Sequence, residues 1–354
     1  MVRGEDMGIL IKRVDLDKDK GILISLLNEN RRVATDERRY EWLYRQNPYG
    51  EAIGWVAFDE KNDEPVGFTV ITPRLVRVKG KDVICWNCGD FSIHKKYRTL
   101  GVAVKLRKMA RDGVDAGVVP FLYAHPNDRM LVVHQRVGHP VIGQMVRYAK
   151  VIRLNKKMQD MLKYKVIADA LSGLGNPLLK LMGKEQWYCR GYSLDFGVNI
   201  EYTEEFDALF NQVSKQYAVC VVRNAKYLNW RYSASPLYKM TTMMLRKNGN
   251  LCGYLIYYHE ELDVVHIKDV LYENDAVARH LMGVLISKLR EQGVCTISVG
   301  LLSSNPFIEI LMFFGFSQRL EVSSVIVYPN SSFEYADMVK DAQNWFMMVG
   351  DRDV

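Results

Sequence analysis

Cysteine and long uncharged apolar runs are both scarce in this sequence of 354 residues. The six cysteines are too few and too scattered for the disulfide framework of a small secreted domain, so we expect them to be reduced. No uncharged apolar run reaches the roughly 18 residues that a membrane-spanning helix needs. The first residues include Glu5 and Asp6, where a signal peptide would be basic and then apolar. These absences favour a cytoplasmic protein without membrane insertion.

The composition excludes wholesale disorder, because hydrophobic residues make up 48% of the chain and charged residues 25%. The length exceeds that of one ordinary domain and suits two. The net charge of +7 is unevenly placed: residues 1–155 carry 27 lysines and arginines against 19 acidic residues, whereas residues 156–354 carry 21 against 22. We therefore expect the first half to bind any anionic ligand.

An internal repeat organises the chain. In two places a tryptophan precedes a tyrosine by two residues and a proline by six: Trp42, Tyr44 and Pro48, then Trp230, Tyr232 and Pro236. Each block leads into a hairpin pattern and then into a strand with one acid, Asp90 or Asp269. An asparagine follows after 37 or 36 residues, at Asn127 or Asn305, and opens a helix that glycine closes. We interpret this order as a tandem duplication with domains over 8–155 and 200–330.

Two segments lie outside the repeat. Residues 156–199 contain apolar residues at helical spacing, followed by Gly173, Gly175 and Pro177, which predicts a helical linker. Residues 331–354 predict a tail with a short helix over 333–348.

A strand, a basic loop and a helix in the first copy carry an anion-binding pattern. The apolar strand 83–93 leads through a basic connector into residues 98–103, Arg-Thr-Leu-Gly-Val-Ala, and then into a helix over 104–112. The first backbone N–H groups of such a helix have no partner within it, so they attract an anion. Small residues at 101 and 103 let a phosphate approach the backbone. The pattern predicts a pyrophosphate site.

Arg98, Gly101 and Ala103 match the pattern Arg/Gln-x-x-Gly-x-Gly/Ala, and with its flanking strands and helices the chain resembles the GNAT superfamily of acyl-CoA-dependent N-acyltransferases. The resemblance covers most of 8–155 and, more loosely, 200–330. It implies an α/β (α+β mixed-sheet) fold of two tandem domains, each a mostly antiparallel, splayed sheet flanked by helices. It also implies acyl-coenzyme A as co-substrate.

Two departures from the family pattern bear on the site. The family usually ends the helix over 127–138 with Tyr-x-x-x-Gly-Phe, and here His134 replaces the tyrosine. In the second copy the phosphate loop has become residues 273–278, whose acids Glu273 and Asp275 would repel a pyrophosphate. We therefore expect acyl-CoA in the first copy only, with the second copy on the acceptor side.

The reaction needs a base for the amine, donors for the oxyanion and an acid for the leaving thiolate. The catalytic candidates are His125 and then Asp90 as base and His134 as acid, with a structural role the alternative for each. Gly89 marks the expected bulge that splays the strand. The resemblance implies a set of CoA contacts along the strand, the loop and the next helix: Phe91, Ile93, Arg98, Thr99, Leu100, Gly101, Val102, Ala103 and Asn127.

The acceptor is expected to meet aromatic and cationic side chains near the repeated tryptophan blocks. The predicted contacts are Tyr40, Tyr44, Asn47, Tyr123, Arg231, Tyr232 and Lys239, while core packing is predicted for Trp42 and Trp230. Tandem proteins with a Tyr-Leu-Asn-Trp-Arg-Tyr block, here 227–232, resemble sugar N-acyltransferases of surface-polysaccharide pathways. This resemblance implies transfer of an acetyl or short hydroxyacyl group, such as 3-hydroxybutyryl, to the amine of a dTDP-type deoxyamino sugar.

Two other classes of function stay open. A tandem GNAT-like aminoacyltransferase of the peptidoglycan-bridge type would use charged tRNA, and a non-enzymatic basic module would bind RNA or a protein. Both account for the basic first half, but neither requires an intact phosphate loop. We therefore favour a monomeric or homodimeric enzyme without a nucleic-acid partner. Cys85 and Cys88 have the spacing of half a zinc site, but no second pair is suitably spaced, so no metal is expected.

Overall fold

The computed structural model describes residues 8–31, 33–98, 100–155, 173, 175–188, 192–261 and 263–352. Thr99 and residues 156–172 of the predicted linker lie outside the described residues. No helix within the described ranges is both long and apolar enough to cross a membrane.

The N-terminal half, residues 8–151, alternates short helices with antiparallel strands. Its elements are β1 (Ile9–Arg13), α1 (Lys20–Asn28), α2 (Glu37–Tyr40) continuing as a π-helical turn (Glu41–Arg45), β2 (Ile53–Asp59), β3 (Glu64–Val78), β4 (Lys81–Ile93), α3 (Leu100–Asp115), β5 (Phe121–Ala124), α4 (Asp128–Arg136) and β6 (Val141–Val151). Side-chain caps explain two helix starts, because Asp36 accepts from the backbone N–H of Arg39 and Asn127 accepts from that of Met130.

The C-terminal half, residues 192–352, repeats much of this order. It contains β7 (Ser193–Val198), α5 (Glu204–Val213), β8 (Val219–Val221), α6 (Ala225–Leu228) with a π-helical turn (Asn229–Ser233), β9 (Thr241–Lys247), β10 (Asn250–Glu261), β11 (Val264–Tyr272), α7 (Asp275–Glu291), β12 (Thr296–Leu302), α8 (Phe307–Phe313), β13 (Ser317–Pro329), α9 (Ala336–Val339) and β14 (Trp345–Phe346). A turn at Asn248 and Gly249 joins β9 to β10 in the predicted hairpin of the second copy, and both residues have positive φ.

The described strands form one mixed sheet that runs through both halves. Its order is β1-β2-β3-β4-β5-β13-β6-β12-β11-β10-β9-β7, with β8 joined to β3 and β14. The pairs β4–β5 and β11–β12 are parallel, whereas β13 lies antiparallel between β5 and β6 of the other half. The predicted fold class, a mixed sheet flanked by helices, is confirmed.

Two tryptophans join the halves at the π-helical turns. The rings of Trp42 and Trp230 stack with centroids 5.5 Å apart, and both are buried. The indole Nε1–H of Trp42 donates to the carbonyl of Trp230 at 2.7 Å, and that of Trp230 donates to the carbonyl of Trp42 at 2.8 Å. This reciprocal contact relates the turns by an approximate two-fold axis. The predicted core role of both residues is confirmed.

The predicted tail helix is wrong. Helix α9 covers only Ala336–Val339, and the chain continues as β14 and a 3-10 turn over Val349–Asp351. Strand β14 pairs in parallel with β8, and the carbonyl of Met347 accepts from the backbone N–H of Leu302 at 3.1 Å. These long-range pairings outweigh the local helical preference of the segment.

We expect Trp42→Phe and Trp230→Phe each to lower the free energy of unfolding by about 1 to 3 kcal/mol, because each leaves a buried carbonyl without its donor. Urea-induced unfolding measures the change. Trp187→Phe is the control, since Trp187 is exposed and should change stability by less than about 0.5 kcal/mol. Equal stabilities for all three variants would contradict a role for the reciprocal pair.

Candidate active site

A cleft opens where two neighbouring parallel strands separate. Strands β4 and β5 pair only at Trp86 with Leu122 and at Asn87 with Tyr123. Beyond these positions β4 continues to Ile93 along β3 without β5. The resulting N-terminal cleft has a volume of about 230 Å³. Five predicted site residues line it together: Asp90, Phe91, His125, Asn127 and His134.

The bulge predicted at Gly89 is confirmed. Thr69 of β3 pairs with Phe91, and Ile71 pairs with Cys88, so two residues of β4 oppose the single Val70. Such a bulge bends its strand and increases the local twist. The bend lies at the point where β4 leaves β5.

Helix α3 begins beside the end of β4. Gly101 is exposed in its first turn, and a Cβ built there would meet no heavy atom of the described residues within 4 Å. Arg98 is exposed just before the helix and hydrogen-bonds to the side-chain oxygen of Asn30. Val102 and Ala103 have buried side chains, so only their backbone can serve a phosphate. The structure thus places a helix N-terminus with open space where the sequence predicts pyrophosphate.

The carboxylate of Asp90 is enclosed by donors. Arg39 donates to it at 2.8 and 3.1 Å, the hydroxyl of Tyr44 donates at 2.5 Å, and Arg31 forms a further ion pair. Burial alone would raise the pKa of Asp90, but the charges of Arg39 and Arg31 outweigh it and hold the pKa below its usual value. Asp90 is therefore an ionised, fully paired group and a weak base at neutral pH.

The C-terminal half contains an equivalent cluster. Asp269 on β11 accepts from the hydroxyl of Tyr232 at 3.1 Å and from Arg223 at 3.0 Å. Tyr44 and Tyr232 occupy the same position two residues after the stacked tryptophans. Because the hydrogen bond between tyrosine and carboxylate also occurs outside the N-terminal cleft, it favours a structural role over a catalytic role for Asp90.

Both cleft histidines are neutral at physiological pH. His125 is buried, its Nε2 lies 3.2 Å from the sulfur of Met347, and burial together with the charge of Arg352 lowers its pKa to about 3. His134 on α4 is buried with its Nδ1 2.9 Å from Nδ1 of His139, and burial followed by the charge of Arg107 lowers its pKa well below the usual value. Each imidazole can donate an N–H, but each is a weak base.

The structure corrects six predicted acceptor contacts, because these side chains are buried and their polar atoms bind the chain itself. Each donates to another group: Tyr40 to the carbonyl of Leu16, Tyr44 to Asp90, Asn47 to the carbonyl of Pro73, Tyr123 to the carbonyl of Asp351, Arg231 to the carbonyl of Gly350 and Tyr232 to Asp269. Lys239 is exposed but lies outside the lining of both cavities described here.

A segment without a sequence motif connects the halves. We call residues 345–352 the tail segment. Strands β11 and β12 pair at four positions up to Ile267 and Val299 and then separate, as β4 and β5 do. The tail segment packs into this second gap, where its Gly350 lies against Tyr232 and the carbonyl of Lys268. It ends with Arg352 in the lining of the N-terminal cleft. Its one sequence signal is the apolar run at 345–348.

A second cavity adjoins the first through the tail segment. This C-terminal pocket has a volume of about 320 Å³ between β6, β11, β12 and β13, and Arg352 lines both cavities. Tyr258 in its wall stacks on Tyr238 with centroids 4.1 Å apart, and Nζ of Lys268 lies over both rings. Tyr258 and Lys268 line this pocket next to the cleft, whereas Tyr238 lies outside its lining.

Sequence reasoning also missed Arg107. It lies among the lysines and arginines of α3, yet it is 1% exposed and lines the N-terminal cleft. Ala103, Ala110 and Val114 lie four, three and seven residues from it, all at helical spacing, and all three are buried. That spacing was the available signal.

We expect the buried histidines to weaken the protein in acid. A histidine with a folded pKa near 3 and an unfolded pKa near 6.5 binds its proton only after unfolding, so stability falls as the pH drops below 6.5. His125 and His139 should each remove roughly 2 to 3 kcal/mol between pH 7 and pH 4.5. Urea unfolding at both pH values measures the loss, which His139→Phe should reduce. His280→Gln, on the surface of α7, is the control; an equal loss in both variants would contradict the assignment.

Among the described residues, no three His, Cys, Asp or Glu side chains lie close enough to hold a metal ion. No protein-family model matches the chain, and no curated protein matches its sequence.

Solved structures match the fold over most of the chain. A GCN5-related N-acetyltransferase from Anabaena variabilis has a TM-score of 0.65 at 12% identity, covering 90% of this chain and 72% of that one. A probable N-acyltransferase from Enterococcus faecalis has a TM-score of 0.62 at 12% identity, with 91% and 72% covered. Saccharomyces cerevisiae N-myristoyltransferase with bound myristoyl-CoA has a TM-score of 0.59 at 10% identity, with 93% and 80% covered. The chain has the fold of the GCN5-related N-acetyltransferases and of N-myristoyltransferase.

Proposed function

We propose that this protein is a cytoplasmic, acyl-CoA-dependent N-acyltransferase whose N-terminal cleft holds the thioester. The observation that carries the proposal is the separation of β4 from β5 beside the open N-terminus of α3. Beyond the two paired positions, the edge of β4 that faces away from β3 is not paired with β5. This edge offers backbone groups near Phe91 and Ile93 to a pantetheine arm. The first turn of α3, with Arg98 beside it, offers N–H groups and positive charge to a pyrophosphate.

We infer that the two halves are copies of one ancestral domain. The reciprocal tryptophans, the tyrosine–carboxylate bonds and the two parallel strand pairs that separate all support this reading. The C-terminal copy has Asp275 in the first turn of α7, and the tail segment packs into its gap. Both features oppose CoA binding there, so we assign the C-terminal copy to the acceptor.

The C-terminal pocket is our candidate acceptor site. Tyr258 and His266 line it with aromatic rings that a base or a sugar can contact, and Lys268 and Arg352 give positive charge for phosphates. These features suit a nucleotide-linked deoxyamino sugar. The amine of that sugar would pass Arg352 to reach the thioester in the N-terminal cleft. A chain that instead bound charged tRNA without CoA would be an aminoacyltransferase of the alternative class.

The transfer joins the amine nitrogen to the thioester carbon and breaks the carbon–sulfur bond. In our proposal His134 donates a hydrogen bond to the sulfur, which leaves as a thiolate and takes its proton from water, and His125 accepts a hydrogen bond from the attacking amine at its unpaired Nδ1. Because both imidazoles are weak bases, the amine enters in its neutral form and its proton leaves to water. Asp90 holds Arg31 and Arg39 and thereby the bulged end of β4.

We expect Gly101→Leu to lower CoA affinity at least tenfold while the fold persists, because the new side chain fills the space where a phosphate would meet α3. Isothermal titration with CoA measures the affinity, and circular dichroism checks the fold. Ala276→Leu is the matched control, since Ala276 is the equivalent exposed residue of α7 and should leave binding unchanged. Unaltered CoA affinity in Gly101→Leu would remove the phosphate site from α3.

We expect His134→Phe and His125→Asn each to lower turnover by about 10- to 10²-fold with CoA affinity retained, because each removes a hydrogen bond to a reacting atom. Free-thiol release from acetyl-CoA in the presence of dTDP-linked amino sugars measures turnover between pH 6 and 9. Because the pKa values of both histidines lie below this range, kcat/KM should keep its pH profile in the variants. The proposed protonation states would be contradicted if kcat/KM of the wild type fell on the acid side of a pKa near 6.5 and either substitution abolished that fall.

A further inference from the structure

A buried arginine in the N-terminal cleft lacks an anionic partner. Arg107 on α3 is 1% exposed and lines the cleft. Its Nε and Nη1 have no hydrogen-bond acceptor among the described residues. Arginine stays protonated in proteins, and a buried charge without a partner costs several kcal/mol. A ligand that brings an acceptor to Arg107 would remove this cost.

The neighbours of Arg107 do not supply negative charge. Its guanidinium carbon lies 5.4 Å from the ring centroid of Phe91, and its charge helps to lower the pKa of His134 and of His139. Asp90, the carboxylate in the cleft lining, is already paired with Arg31 and Arg39. Arg107 therefore faces an aromatic ring and two neutral imidazoles.

A second guanidinium reinforces this imbalance. Arg352 lines the same cleft, and its Nε also has no acceptor among the described residues. The cleft is lined by three arginines, Arg31, Arg107 and Arg352, and by one carboxylate, that of Asp90. Because its histidines are neutral, the lining carries a surplus of two positive charges. Charge of this size favours an anion within the cleft itself.

The phosphates of CoA do not account for the surplus. Arg107 lies six residues after Gly101, which places it ~9 Å further along the helix axis from the proposed pyrophosphate site. The pantetheine arm that would pass it is uncharged. We infer that the substrate presents a carboxylate to Arg107 close to the reacting carbon, an inference that rests on the proposed function. The acyl group of a dicarboxylic acid fits the position best, and an acceptor that bears a carboxylate is the other source.

The donor arm of the test compares succinyl-CoA with butyryl-CoA, which has a methyl group where succinyl-CoA has its carboxylate. We expect wild-type protein to bind succinyl-CoA at least tenfold more tightly by isothermal titration. Arg107→Met should abolish the preference, Arg107→Lys should retain part of it, and Lys108→Met, exposed on the same helix, should leave it unchanged.

The acceptor arm uses CoA-saturated protein titrated with galactosaminuronic acid and with galactosamine, which differ in the carboxylate. A carboxylate preference in either arm that Arg107→Met abolishes supports the inference and identifies the source. A preference that survives Arg107→Met, or no preference in either arm, overturns it.

Two further readouts keep the result clear. Thermal unfolding of Arg107→Met without ligand should occur at or above the wild-type temperature, because the substitution removes a charge without a partner. A lower temperature would indicate a structural arginine and contradict the inference.

Absence of binding for CoA, butyryl-CoA and succinyl-CoA alike would instead refute the proposed function. Binding of butyryl-CoA that Gly101→Leu weakens, without any carboxylate preference, would refute the inference alone.

Discussion

The architecture of the candidate site depends on two parallel strands that pair at only two positions and then separate. The bulge at Gly89 and Asp90 bends β4 away from β5, and the donors around Asp90 hold that bend from the side of α2. Without the separation, α3 and α4 would face a continuous sheet and no cleft would form. The buried ion-pair cluster is therefore a condition for the cleft, whether or not its carboxylate takes part in the reaction.

The same geometry occurs in the C-terminal half with a different outcome. Strands β11 and β12 also separate, but the tail segment packs into the gap, held by the ion pair of Arg223 with Asp351 at 2.7 Å. One gap is thus open and the other is filled by the chain. Because Arg352 ends the tail segment in the open cleft, the C-terminal half contributes directly to the lining of the N-terminal site.

The sequence predicted the features that depend on local signals. Alternating apolar residues, turn residues and caps gave the hairpins, α3 and α4, and the residues placed at strand ends, among them Asp90 and His125, do meet in one cleft. The acceptor contacts failed because an aromatic residue such as Tyr44 has the same pattern in a core as in a binding surface. The insertion of β13 between β5 and β6, and the course of the tail segment, depend on long-range pairing that leaves no local signal.

A crystal structure of the complex with CoA tests the central claim most directly. The account predicts the pyrophosphate at the first turn of α3 and the pantetheine between β4 and β5, with the sulfur near His134 and the C-terminal gap still filled by the tail segment. CoA bound at α7, or in a gap from which the tail segment has been displaced, would contradict it.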